Sequence, residues 1–408
     1  MNVSAHRWQR NVWLVLIMSS VRVFLVVMPV IVPFFQSKGL SMQDVFVLQA
    51  LFMLMVLVLE VPSGYVADLF GRKGALVAGA LFCGLGHSAL LVAEGFWDLV
   101  LFEACLALAR SLVSGADLAI AYESARLAEG REDHAVVGRL YAWQTASEAC
   151  AALACSAILV LGSLYEVVWL QAVVGWLPLL VVLAVAEPPR DRLAQDQHVQ
   201  NFREVLGHIL QGGAVLRLTA AVWCVWGLTT YFAVWVMQKI WMAQDIALHH
   251  FGYLWAGYMF VAALAGRLAL KLETRLGAAA LLSVCGVAPV LGYLGLTVPL
   301  LSVLFGVLFF VARGLGVVIL QQAFNARVPD AFRATANSLL GFGFSICVVL
   351  TGPLVGAMVD AWSMHVALAV LAGFSALVLV CLVTPLVLRV RRTTRRPADA
   401  DAVQQASG

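Results

Sequence analysis

Four charged residues stand deep inside long apolar runs of this 408-residue sequence: Arg22, Arg110, Glu148 and Arg313. A charge in hydrocarbon is costly, so such residues face a bundle interior or a water-filled path and mark where ions or polar molecules travel. Glu103 and Asp117 lie seven residues before and after Arg110. On a continuous helix all three share one face, spaced about 10 Å apart along the axis. The two carboxylates either relay a proton or rim a polar path. Arg110 and Glu148 fall at similar depth in neighbouring runs, which supports two readings: a structural ion pair, or a carboxylate that changes protonation as a cargo comes and goes. Arg313 differs, because no acidic residue lies inside any apolar run of the second half; Asp245, Glu273, Asp330 and Asp360 all sit in or beside polar breaks. Its partner is a group from the other half, a carbonyl, water or a bound anion, unless it only ties structure together. Three guanidinium groups favour an anionic or zwitterionic substrate, since the planar fork meets a carboxylate or phosphate with two hydrogen bonds.

The elements that carry these residues follow from hydropathy. Hydrophobic residues make up 62% of the chain and charged residues 12%, against about half and a quarter in an ordinary soluble domain. The apolar residues come in runs long enough to cross about 30 Å of hydrocarbon as helix. Twelve such runs are predicted, the first six at about 11–34, 44–66, 74–94, 96–120, 137–160 and 165–186, the second six at about 214–238, 249–271, 278–297, 299–322, 336–359 and 364–389. The chain therefore reads as two bundles, 1–186 and 213–389, joined by a polar linker over 187–212 and followed by a basic, then Ala/Asp/Gln-rich tail over 390–408 that reads as disordered. In the linker Val199, Phe202, Val205, Leu206, Ile209 and Leu210 recur at helical spacing. This predicts either an amphipathic helix on the membrane surface or a plain solvated connection. Arg7 and Arg10 precede a first span too long for a signal-peptide core, so that span is expected to stay in the membrane. All eight cysteines fall within spans and read as small apolar filler. Arginine and lysine collect in alternate loops, among them Arg72, Lys73, Arg126, Arg139, Arg203, Arg275, Arg327 and Arg333, whereas the opposite side holds Lys38 and Lys239. The asymmetry places both termini in the cytoplasm.

An internal echo supports two related halves: Ala109, Arg110, Ser111, Leu112 in the fourth span and Ala312, Arg313, Gly314, Leu315 in the tenth. The segment from Glu60 through Pro62, Gly64, Asp68 and Gly71 to Arg72 and Lys73 resembles the signature loop between helices two and three of the major facilitator superfamily. Its frame is Gly, three residues, Asp, two residues, Gly, then two basic residues. Glu-Val-Pro-Ser before it, the run Ser114 to Asp117 through Tyr122, Glu123 and Ser124, and Arg333-Ala334-Thr335 are similar to a bacterial, efflux-type branch of that family. The resemblance implies an all-α polytopic fold of two pseudo-symmetric six-helix bundles with the substrate path between them. It also implies a cytoplasmic gating latch at Gly64, Asp68, Gly71, Arg72 and Lys73, and central helices one, four, seven and ten. Leu69 stands where the family usually has a basic residue, and the second-half copy around Gly266, Glu273 and Gly277 is off the frame.

Trp223, Trp226, Tyr231, Phe232 and Trp235 on the seventh span suit a bulky organic molecule better than an inorganic ion, although aromatic rings also serve packing and the interfacial belt. Gly352, Pro353 and Gly356 resemble half of the family's antiporter motif, but in the eleventh span and not the fifth. His249 and His250 are adjacent and cannot share a helical face, so no metal site is expected, nor any cofactor. No phosphate-binding glycine loop or nucleophile motif occurs, which argues against an enzyme. The expected protein is an inner-membrane, proton-coupled secondary exporter of a bulky anionic or amphipathic organic molecule such as a siderophore-like metabolite or drug. It would be monomeric in the lipid bilayer, with Arg22, Arg110, Arg313, Trp223 and Trp226 binding substrate and Glu148, Glu103 and Asp117 handling protons. No nucleic acid is expected as partner. An importer of organic anions and a non-transporting sensor or scaffold are the other classes the residues allow.

Overall fold

The computed structural model describes residues 3–129, 135–189, 198–329 and 332–392, and among them every regular element is helical. The first half holds α1 Val3–Arg22, α2 Ile31–Ser37, α3 Met42–Phe70, α4 Arg72–Val92, α5 Phe96–Val113, α6 Ala116–Glu129, α7 Ala135–Leu161, α8 Leu164–Val174 and α9 Leu177–Leu183. After α10 His198–Gln211 come α11 Ala214–Ala243, α12 Leu248–Leu276, α13 Ala278–Leu296, α14 Ser302–Asn325, α15 Arg333–Ala361 and α16 Met364–Val378. A π-helical turn, Leu379–Val383, carries the last helix on to Arg392.

Among the described residues eleven helices are long and apolar enough to span a membrane, with α5–α6 and α8–α9 each counted as one. The expected twelfth, the first, is broken. Pro29 opens a 3-10 turn at Met28–Val30 and Pro33 lies in α2. Each ring lacks an N–H, and that of Pro29 clashes with a helical placement of the Leu25 carbonyl four residues before it; α1 ends at Arg22, and only the short apolar stretch Met28–Ser37 follows. The backbone groups at the break are met by turn hydrogen bonds, such as that from the Phe24 N–H to the Val21 carbonyl at 3.1 Å, and by side chains. Gln171, 1% exposed on α8, accepts from the Val27 N–H at 3.3 Å. Ser147 on α7 donates to the Ser20 carbonyl at 2.6 Å. Irregular backbone persists at membrane depth only where protein satisfies it in this way.

Contacts gather the chain into two compact units, each with its own core. The first comprises Met1–Arg192, Trp241–Met259 and Val348–Ala361; the second comprises Leu193–Ile240, Phe260–Cys347 and Trp362–Gly408. Leu16, Met18, Leu76, Ile120, Val136 and Val182 fill the first core. The Leu248 end of α12 and the Ala361 end of α15 belong to this unit because glycines admit them. A Cβ on Gly252 would stand within van der Waals overlap of the Ala152 carbonyl oxygen, and one on Gly356 would stand 2.6 Å from Gln43 Cα. Asp360 then accepts the Gln43 N–H at 2.7 Å, at the start of α3.

In the second unit Trp226, Leu281, Leu315, Ile319 and Leu386 form the core. The Tyr293 hydroxyl donates to the Thr229 carbonyl at 2.7 Å and ties α13 to α11. The linker does contain a helix, α10, and its apolar residues divide, with Leu206 and Leu210 exposed. Val205 and Ile209 are buried against Leu216, Phe324, Val328 and Leu340, so α10 packs on its own unit as a bracket. The side chains of Val199 and Phe202 lie outside the described residues. Large apolar side chains elsewhere face outward, among them Val58, Leu101, Leu180, Leu304 and Leu354, as helices immersed in lipid require. All eight cysteines are free thiols.

Candidate functional site

Polar groups of the first unit gather where helices are interrupted. Arg22 is the last residue of α1, where the helix carbonyls carry partial negative charge. Its Nε is buried without a hydrogen-bond partner among the described residues. Three residues earlier Ser19 donates to Asp117 Oδ2 at 3.0 Å. Asp117 is 7% exposed and begins α6, where its Oδ1 accepts the Leu118 N–H at 2.7 Å.

This placement corrects the expectation that Glu103, Arg110 and Asp117 share one helical face. α5 ends at Val113, and Gly115 has φ of 78°. That left-handed conformation is open to glycine but not to a helix interior, so Asp117 belongs to a second helix. Glu103 is 5% exposed, whereas Arg110 is exposed, with Cζ 6.0 Å from the centroid of the Phe52 ring. Glu103 accepts a hydrogen bond from Gln49 Nε2 of α3 at 2.8 Å, and Gln49 is itself 7% exposed. Glu60 on α3 lies within electrostatic reach of Arg110. Neither Gln49 nor Glu60 was a candidate from sequence. Gln49 is a lone polar residue in an apolar run and could have been noticed for that reason. Glu148 is half-buried on α7.

The loop motif is anchored inside the first unit. Gly71, at φ of 83°, separates α3 from α4 and holds the chain against Glu187: the Arg72 N–H donates to Glu187 Oε1 at 2.8 Å. The Arg72 guanidinium pairs with Glu123 of α6 at 2.5 Å, and Lys73 Nζ donates to the Leu183 carbonyl at 3.1 Å. Gly64 and Asp68 fall in the last turns of α3, and their side chains lie outside the described residues. Beside this cluster Asn11 donates to Ser124 Oγ at 2.8 Å and exchanges hydrogen bonds with the Ala186 backbone. The stretch Asp117 to Ser124 thus supplies partners for Ser19, Arg72 and Asn11, three separate points along the first unit's polar seam.

In the second unit Arg313 projects from α14 as an exposed side chain, with no hydrogen bond or ion pair among the described residues. Leu304, nine residues earlier and so on the opposite face, is 64% exposed. The lipid-facing side of α14 and the side bearing Arg313 are therefore different sides. Gly314 packs beneath this position against α12: its Cβ would press on the Ala262 carbonyl oxygen. Trp226 proves to be a packing residue. It is 4% exposed, its Nε1 donates to the Cys285 carbonyl at 2.9 Å, and Gly316 leaves room for its ring. Trp223 is partly buried against the same core. The aromatic cluster sits two turns further on, where Tyr231 meets Trp235 at 6.3 Å and Phe344 at 5.7 Å between centroids.

Among the described residues every regular element is helical and eleven helices are long and apolar enough to cross a membrane, which is the build of a multi-pass membrane protein. A family model described as Major Facilitator Superfamily matches residues 12–332, and the chain belongs to that superfamily. Its fold is similar to that of the nucleoside transporter NupG, with TM-score 0.72 and 14% identity over 92% of this chain and 98% of the other. A bacterial homolog of the human lysosomal transporter Spinster gives TM-score 0.69 and 16% identity over 94% of each chain. A POT family transporter in complex with 5-aminolevulinic acid gives 0.65 and 12% identity over 92% and 95%. At these identities the likeness speaks for the fold alone. No curated protein sequence matches the chain.

Proposed function

We propose that this transporter is a proton-coupled exporter of a bulky anionic or amphipathic organic molecule across the inner membrane. The observation that carries the reading is Arg313. A guanidinium in the middle of a spanning helix, on the side away from exposed Leu304 and without a protein partner among the described residues, is suited to a ligand's anionic group. Arg22, with its unpartnered Nε at the end of α1, and Arg110 add positive charge in the first unit. The buried carboxyls of Glu103 and Asp117, with Glu148, are the groups available to carry protons. The anchored loop Gly71–Lys73, together with Gly64 and Asp68, serves as the gating latch. Tyr231 and Phe344, both half-buried, offer aromatic surface to an organic substrate.

The test uses everted membrane vesicles loaded by respiration and a bulky fluorescent organic anion. Accumulation that collapses with a protonophore is expected. Arg313→Ala is expected to abolish it and Arg313→Lys to weaken apparent affinity roughly tenfold, since an ammonium cannot reproduce the bidentate fork. Accumulation only in right-side-out vesicles would make the protein an importer, and binding without flux a sensor. Unchanged affinity in Arg313→Ala would remove the anionic substrate from the reading.

A further inference from the structure

Two contacts within the first unit show that α3 and α5 run in the same direction and fix their register: Gln49 meets Glu103, and Phe52 meets Arg110. The hydrogen bond of 2.8 Å sets Gln49 and Glu103 at one height. Seven residues further along each helix, about 10 Å, Arg110 therefore stands level with Val56. Phe52 lies about 6 Å before Val56 and Glu60 about 6 Å after it, on one side of α3, because residues four apart stack. The Arg110 guanidinium thus has two resting places, one on either side of its own level. One is the Phe52 ring, whose centroid is 6.0 Å from Cζ. The other is the Glu60 carboxylate, which lies within electrostatic reach of Arg110.

Both charges stand away from the outward apolar side chains of their helices. Arg110 is nine residues from Leu101, which is 58% exposed, and Glu60 is two residues from Val58, which is 62% exposed. At 3.6 residues per turn each separation puts the charge on the opposite side of its helix. Arg313 and exposed Leu304 keep the same nine-residue separation in the second unit. A charge on a spanning helix is tolerated on the side of a polar path. Glu60 and Arg110 are both exposed on that side, where a travelling molecule can meet them.

An anionic group that binds through Arg110 brings a second negative charge to a guanidinium that Glu60 already attracts. Two anions at one arginine repel each other, so one gives way. The negative face of the Phe52 ring attracts the guanidinium as well and keeps it at the path while its anion changes. We propose that Glu60 is the internal counter-ion of Arg110, a specificity-determining residue that an anionic substrate displaces in order to bind. The inference rests on the reading of an anionic substrate held by arginines. It adds a threshold: an anion is taken only if it meets the guanidinium fork better than Glu60 does, whereas a neutral molecule of the same shape does not compete with Glu60 at all.

The experiment uses the full-length protein purified in detergent, at slightly alkaline pH and fixed ionic strength. It measures equilibrium binding of a bulky fluorescent carboxylate and of its neutral methyl ester, and the rate at which phenylglyoxal modifies Arg110, followed by mass spectrometry. Glu60→Gln is expected to bind the carboxylate roughly threefold to fivefold more tightly than wild type, the worth of an exposed ion pair, and to leave the ester's affinity unchanged. Its Arg110 is expected to be modified faster than in wild type, because no carboxylate holds the guanidinium. Glu60→Asp, which keeps the charge, is expected to stay close to wild type in both measurements. The proposal is overturned if Glu60→Gln binds the carboxylate as wild type does, if it gains as much for the ester, or if its Arg110 is modified no faster. Should the wild type bind no organic anion, the anionic-substrate reading falls and the displacement with it, while the modification rate still reports whether Glu60 holds Arg110.

Discussion

The Gln49–Glu103 pair lets a proton-handling role be separated from a structural one. Both side chains are at least nine-tenths buried and share one hydrogen bond of 2.8 Å between α3 and α5. Glu103→Leu leaves the Gln49 amide buried without its acceptor, which costs about 1–3 kcal/mol. Replacing both by Leu removes donor and acceptor together and recovers most of that loss, so a double-mutant cycle should show coupling of about 0.5–3 kcal/mol. Glu103→Gln keeps an acceptor for Gln49 and changes stability by less than about 1 kcal/mol, yet it can neither take nor release a proton. In proteoliposomes the Glu103→Gln protein should therefore keep counterflow exchange of a fluorescent organic anion while losing accumulation driven by a pH gradient by at least about tenfold, the effect of roughly 1.4 kcal/mol. Wild-type accumulation by Glu103→Gln would refute the reasoning. Glu103 would then only fasten α3 to α5, and coupling would fall to Asp117 or Glu148.

Other perturbations read separate features. Gly252→Ala should destabilise the protein by about 1–3 kcal/mol, because its Cβ meets the rigid Ala152 carbonyl, while Gly257→Ala on the same helix meets open space and should be neutral; detergent unfolding temperatures compare them. Gly71→Ala combines a φ of 83° with a Cβ 2.7 Å from the Glu187 carboxylate, and should lower flux and thermal stability together. Asp68→Asn should cut flux with little change in the unfolding temperature if the latch role is right, and loss of folded protein would refute it. Reporter fusions after Lys73 and the C-terminus should read cytoplasm and those near Lys38 and Lys239 periplasm, and a reversed pattern would overturn the orientation.

Hydropathy made most of the helices legible, because length and apolar content are properties of residues within one segment. What stayed hidden depended on single backbone positions. Seven residues either side of Arg110 is the right spacing for one face, but Gly115 turns the chain between Arg110 and Asp117, and nothing in a hydropathy profile distinguishes a glycine that turns from a glycine that packs. Pro29 and Pro33 could have signalled the break in the first span, since proline in the middle of a helix removes a donor. They were compatible with an intact span because membrane helices tolerate proline, as α3, α13 and α15 do at Pro62, Pro289 and Pro353. Which outcome holds depends on partners far away in sequence: Gln171 and Ser147 stand ready at the first break. Trp226 went astray for a related reason. Its place on the seventh span suggested a wall of the substrate path, but its fate was fixed by Gly316 and the Cys285 carbonyl on α14 and α13. The charges behaved otherwise. Lipid leaves an arginine few places to stand, so Arg22 at the end of α1 and Arg313 on the face away from exposed Leu304 were recognisable from their rarity alone.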